Sequence, residues 1–159
     1  MSIIRTNQIT NTAGDASPNI PGAVLQVQTA TDSTERTTTS TSFVTASNTL
    51  AVSITPKSAL SKILVTCSLS YATPSGTVSL FLSLFRNSIN LGDPIRGFGN
   101  LFDGNSLYYG HTSLQILDAP STTSTIIYQP YFRIGSGSNV GRINNTGSFS
   151  SITAMEIGG

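Results

Sequence analysis

Cys67 and His111 are the only cysteine and the only histidine in this 159-residue chain. They are therefore the only side chains that could form a thiolate–imidazole couple for nucleophilic catalysis. Cys67 stands among alternating apolar residues, Ile63, Val65, Leu69 and Tyr71, where a thiol reads as a small buried hydrophobe. One cysteine allows no intrachain disulfide, and one histidine with one cysteine cannot make a zinc-type cluster. Asp93, Asp103 and Asp118 are spread without the alternation of a calcium loop and read as turn aspartates. Paired carboxylates for glycoside hydrolysis are defined in space rather than in sequence, and only seven acidic residues exist to make them. Gly135, Gly137 and Gly141 do not match a phosphate loop, since no Lys-Ser/Thr pair follows them. Asn144-Asn145-Thr146 is a glycosylation sequon by pattern alone. The expectation is a chain with no catalytic residues, no metal and no cofactor.

Composition narrows the partners. Only 9% of residues are charged, and the net charge is +1; about a quarter charged is usual. Such a surface is covered by Ser, Thr, Asn, Gln and Gly. It lacks the basic stripe that nucleic acid requires and the charge that draws a protein to an anionic membrane. No apolar run approaches the roughly 18 residues of a membrane-spanning helix, and Met1-Ser2-Ile3-Ile4-Arg5 lacks the apolar run of a signal peptide. A soluble protein made in a cytoplasm is expected, with large assemblies or sugar-facing surfaces as settings for so neutral an exterior.

The elements that would position any site are strands. Ser61 to Tyr71 alternates with period two, placing Ile63, Val65, Cys67, Leu69 and Tyr71 on one face. Leu50, Val52 and Ile54 form another inward set, ended by Pro56, and the loop to Ser61 makes these two strands antiparallel neighbours. Residues 22–29 give a first strand with Leu25, Val27 and Thr29 on one face. Residues 77–86 carry Val78, Leu80, Leu82 and Leu84 on one face and Phe81 and Phe85 on the other. Ser113–Leu117 is a short strand. Residues 126–134 form an edge or bulged strand, because Pro130 lacks the amide of a central ladder. A short strand is expected at 140–143 and a last one at 148–157. About eight short strands with turn signals between them predict an all-β, antiparallel β-sandwich, jelly-roll-like. Residues 1–22, rich in turn formers with scattered Ile4, Ile9 and Ile20, read as an extended N-terminal arm; residues 23–159 form the head domain.

Two features bear on binding. Residues 87–109 form the longest irregular stretch and hold Phe98, Phe102, Tyr108 and Tyr109. These rings either fold the loop onto itself or present a stacking platform to a sugar. The second apolar face of the 77–86 strand, Phe81 and Phe85, needs a cover beyond the chain's own core. That cover is either a loop of the same chain around Phe98 and Phe102, or a neighbouring copy.

The segments Ser40–Val44 (STSFV), Leu50–Pro56 (LAVSITP) and Ser61–Leu69 (SKILVTCSL) resemble, in this order, a group of phage virion proteins. Leu117–Ser124 with Ile127-Tyr128 is similar to the later hairpin of that group, and Ile152–Ile157 to its C-terminal strand. Ile4-Arg5-Thr6-Asn7-Gln8-Ile9 with Ser17–Pro21 resembles N-terminal attachment arms of phage fibre proteins. The resemblance implies a virion location, a jelly-roll-like head, a homotrimer, and partners among other virion proteins with a host surface glycan as receptor. Virion docking would use Ile4, Arg5, Ile9 and Ile20. The chain has no long shaft between arm and head, which points to a short tail fibre or, alternatively, a capsid decoration protein without a receptor.

Overall fold

The computed structural model describes residues 20–73, 78–102, 108–136 and 139–159. Ile4, Arg5 and Ile9 lie outside the described residues, as does Asp103. The described strands are β1 Val24–Asp32, β2 Arg36–Thr38, β3 Val44–Thr45, β4 Val52–Ile54, β5 Lys62–Ala72, β6 Leu80–Arg86, β7 Ile89–Asn90, β8 Gly99–Leu101, β9 Tyr109–Asp118, β10 Ile126–Ile134, β11 Gly141–Ile143 and β12 Ser150–Ile157. One turn of 3-10 helix, Asn145–Gly147, precedes β12. All pairings are antiparallel, in two sheets packed face to face, so the chain is an all-β sandwich.

Four pairs of strands are collinear pieces of one track. β1 and β2 run along β12 and β11 in turn. β3 and β4 both pair with β10, and β7 and β8 both pair with β6. Eight tracks result. Numbered along the chain, they lie in the order 1-8-3-6 in the first sheet and 2-7-4-5 in the second. Every connection except that from the fourth track to the fifth crosses between sheets, so chain neighbours are rarely sheet neighbours.

The core is where the period-two pattern placed it. Ile63, Val65, Cys67 and Leu69 of β5 are essentially fully buried, as are Leu80, Leu82 and Leu84 of β6 and Leu50, Val52 and Ile54. Tyr128, Phe132, Ile134, Ile143, Ile152 and Ala154 complete it. Each fully buried aliphatic or Phe side chain stabilises the fold by roughly 1.5–3 kcal/mol relative to exposure.

Three sequence expectations need correction. β4 and β5 are not a hairpin: β4 pairs with β10 in one sheet and β5 with β12, β11 and β9 in the other. Residues 55–61 cross between sheets, held by the Lys57 amide donating to Glu156 Oε1 at 2.7 Å. On β1 the face is reversed beyond its start. A bulge between Val24 and Gln26 shifts the register, leaving Val27 51% exposed and turning Ala30 inward. Pro130 lies in a central strand, not an edge. Its carbonyl accepts from the Ala46 amide at 2.9 Å, so its ring nitrogen faces the same neighbour, where the ladder is interrupted between β3 and β4. The missing amide therefore removes no ladder bond. In addition, the strand expected at Ser113–Leu117 extends from Tyr109 to Asp118.

The sandwich has two distinct ends, about 33 Å apart along β5 at 3.3 Å per residue. At the Lys62 end the chain enters β1, with the Gly22 amide donating to Gly158 O at 2.7 Å. At the Ala72 end, Tyr109 pairs with Ala72, Thr73 donates to Tyr108 O at 2.8 Å, and Gly135 donates to Ser79 O at 2.9 Å.

Candidate functional site

The four ring residues of the 87–109 stretch separate. Tyr109 opens β9, and Tyr108 precedes it with its ring tilted against Tyr71 at 6.4 Å. Gly110 makes this approach possible: a Cβ there would sit 2.6 Å from the Tyr71 ring. Phe102 follows β8 at the same end. Tyr108, Tyr109 and Phe102 are each just over half exposed. Phe98 is not with them. It is half-buried against the core, its amide donating to Leu82 O at 2.8 Å. Phe98 therefore packs on its own chain, while the other three rings are partly exposed.

Phe81 and Phe85 are half-buried by partners of their own chain. Phe85 stacks on Tyr131 at 3.9 Å and tilts against Phe43 at 5.9 Å. The Arg133 guanidinium lies over Phe81 at 4.2 Å and donates to Ile95 O and Thr41 O. Residues 90–98 lie along the outer side of β6, with Ser83 Oγ donating to Asn90 Oδ1 at 2.5 Å. Asp93 folds this loop by accepting from the Arg96 and Ile95 amides, which hold its carboxyl below the usual range. Burial loosens the Arg133 proton, and Asp93 partly opposes that. Ile20, the one described residue of the expected docking set, is 48% exposed.

The residues that opened the sequence reading are not brought together. Cys67 points into the core, and burial pushes its thiol pKa up. His111 is exposed on β9, opposite Ser70 and 3.4 Å from Ser68 Oγ. Both carboxylate oxygens of Asp118 accept from Arg86 Nη1, at 2.9 and 2.8 Å, and Oδ2 also accepts from the Tyr128 hydroxyl at 2.6 Å. Burial, and then Asp118, push the Tyr128 phenol up. Asn144 of the sequon is fully buried in left-handed backbone at φ 57°. It accepts from Ser150 Oγ at 2.6 Å and donates to Thr34 O at 3.3 Å, so in the folded chain it is closed to glycosylation. Among the described residues no group of three His, Cys, Asp or Glu could hold a metal. No helix of the described residues is long and apolar enough to cross a membrane.

The sequence reading missed a polar belt around the waist of the sandwich. Three tracks break near the same height: between β1 and β2, between β3 and β4, and between β11 and β12. Asp32, the last residue of β1, accepts from Ser47 Oγ and from the Thr34 amide. Burial alone would raise the Asp32 pKa. Hydrogen bonds from Ser47, Thr34 and Thr49 outweigh it and hold the carboxyl at about 2. Ser47 also caps its own loop, accepting from the Thr49 and Leu50 amides. Ser150 Oγ accepts from the Ser70 amide at 3.0 Å. A cavity of about 550 Å³ opens beside Asp32, with Thr31, Thr34, Thr49, Arg36 and Phe149 on its walls. In a chain this rich in Ser and Thr, no local pattern marks these particular hydroxyls.

No family model matches the chain, and comparison with curated proteins finds no significant match. The likeness to phage virion proteins thus stands on the short motifs quoted above.

Proposed function

We propose that the chain is a structural and attachment protein of a bacteriophage particle, a short tail fibre or fibre-like subunit. Its N-terminal arm, residues 1–22, docks on other virion proteins, and its β head carries the host contact. The observation that carries this reading is polarity. The chain enters β1 at the Lys62 end beside Gly158, while Phe102, Tyr108 and Tyr109 stand exposed at the Ala72 end. That arrangement supports a subunit held at one end and read at the other. The track order 1-8-3-6 over 2-7-4-5 supports a jelly-roll wiring of the head. The low charge and hydroxyl-rich surface suit repetition in an assembly, where weak contacts gain avidity. The heads form a closed homotrimer through the outer face of the second sheet, around Phe81 and Phe85. No catalytic step, cofactor, nucleic acid or membrane insertion enters this reading.

The second reading is a capsid decoration protein without a receptor, favoured by the same neutral surface. Adsorption separates the two. Excess purified chain should slow adsorption of the particle to its host if the head attaches. Unchanged adsorption, with the chain still found in purified particles, favours decoration.

A further inference from the structure

The geometry points to the waist cavity as a binding site for a neutral saccharide, taken by two adjacent hydroxyls of a hexose ring. The choice of ligand class rests on the attachment reading; the site itself rests on its residues. The cavity, about 550 Å³, falls within the roughly 300–1,000 Å³ of small-molecule sites. Its floor is an ionised carboxylate, Asp32, whose pKa of about 2 keeps it an acceptor at any physiological pH. A carboxylate offers about four lone-pair positions: the buried Ser47 hydroxyl and the Thr34 amide hold two, and the exposed Thr34 and Thr49 hydroxyls face the others, where a ligand hydroxyl can take their place. Arg36 Nη2 stands 3.6 Å from Asp32 Oδ2, within ion-pair range but too far for a hydrogen bond. Acceptor and donor are thus side by side and not satisfied by each other. One ring hydroxyl can donate to the carboxylate while its neighbour accepts from the guanidinium, an arrangement that suits a diol.

The walls fit the same ligand. Thr31, Thr34 and Thr49 are exposed and bring further hydroxyls, and Phe149, 65% exposed, offers an aromatic face for the C–H side of the ring. Charge excludes the ionic alternatives. Asp32 faces Arg36, and Glu35 is paired with Arg142 at 2.9 Å, so the neighbourhood carries no net charge to draw an anion. A single carboxylate is too few for calcium. The coincidence of breaks in three tracks is what opens the cavity, and such irregularities in strands often accompany sites.

The test is an array of glucose-, galactose-, mannose- and N-acetylglucosamine-terminated oligosaccharides beside sialylated and phosphorylated ones. It is probed with the full chain and with Phe149→Ala and Arg36→Gln, each checked for an unchanged melting temperature. Phe149→Ala measures the site even if Arg36→Gln fails to fold. Expected is binding to a neutral glycan, weakened about tenfold by Phe149→Ala, the loss of one stacking contact of about 1.4 kcal/mol. Full binding by Phe149→Ala, binding confined to the anionic glycans, or no glycan binding at all would each overturn the proposal. Adsorption competition by the chain would still stand in those cases, so the failure of the pocket and the failure of the attachment reading are separable.

Discussion

The Ser47 hydroxyl donates to Oδ2 of Asp32 and so ties the loop between β3 and β4, in the second sheet, to the end of β1, in the first. The bond closes one open side of the sandwich, where the edge tracks of the two sheets meet. Hydrogen bonds to a charged group contribute about 1.5–3 kcal/mol, and this one is buried. Asp32→Ala is expected to lower the unfolding free energy by roughly 2–4 kcal/mol, since it removes the charged acceptor of both the Ser47 hydroxyl and the Thr34 amide. Ser47→Ala should cost roughly 1–3 kcal/mol. Urea denaturation checks both; a loss within about 0.5 kcal/mol, as at ordinary surface positions, would show that the link does not hold the sheets.

The same carboxylate predicts the response to acid. The pKa of Asp32 is lowered from 3.8 to about 2, so the unfolded chain binds its proton first as pH falls. Its stabilisation is complete above about pH 4 and is lost progressively as pH drops through about 2. Its size is roughly 2 kcal/mol. Glu156 acts in the same sense: burial would raise its pKa, but Gln26 and the Lys57 amide accompany a net lowering. Melting temperature measured from pH 7 to pH 2 should be flat down to about pH 4 and fall below it. In Asp32→Asn the acid limb should be shallower.

The 90–98 loop depends on Gly97, which has φ +64° and whose added Cβ would meet Leu82 O and, at 2.8 Å, Ser83 Cβ. Gly97→Ala should push the loop off β6 and uncover Ser83 and Arg133. Limited proteolysis should then cut within residues 91–98, which resist in the parent chain. Equal resistance would show that the loop is held elsewhere.

The trimer is tested by Phe81→Asp with Phe85→Asp followed by sedimentation. Both rings are half-buried by Tyr131, Phe43 and Arg133 and lie outside the main core, so the head should still fold. A trimeric parent and a folded monomeric variant are expected. A monomeric parent, or a variant that stays trimeric, would refute the interface.

How far these features were legible depended on contrast in the sequence. Ile63, Val65, Cys67 and Leu69 alternate with Lys62, Thr66 and Ser68, and their burial follows directly. The alternation of β1 was equally visible, but a single bulge at Val24/Gln26 inverted the face of Val27. Pro130 was correctly read as unable to give a ladder amide; what the sequence hid was that its neighbour breaks there. The pairing of β4 could not be read from its closeness to β5 in the chain, because almost every connection changes sheet. The waist was the least legible. Asp32 and Ser47 lie about a hundred residues from Asn144 and Ser150 in sequence and are brought to them only by track breaks, and a Ser or Thr gives no sign of being a buried one.

The polarity of the head is tested most directly by cysteine labelling in intact particles. Cys67, the sole cysteine, is 1% exposed and its thiol is held neutral by burial, so an introduced thiol is read without background. Tyr109→Cys places a thiol at the Ala72 end, and Leu60→Cys, at a position 75% exposed in the isolated chain, places one at the arm end. Both should react with a maleimide in the purified protein. In the particle, Tyr109→Cys should keep its reactivity and Leu60→Cys should lose it. Equal labelling of the two, the reverse order of protection, or particles lacking the chain altogether would contradict the account.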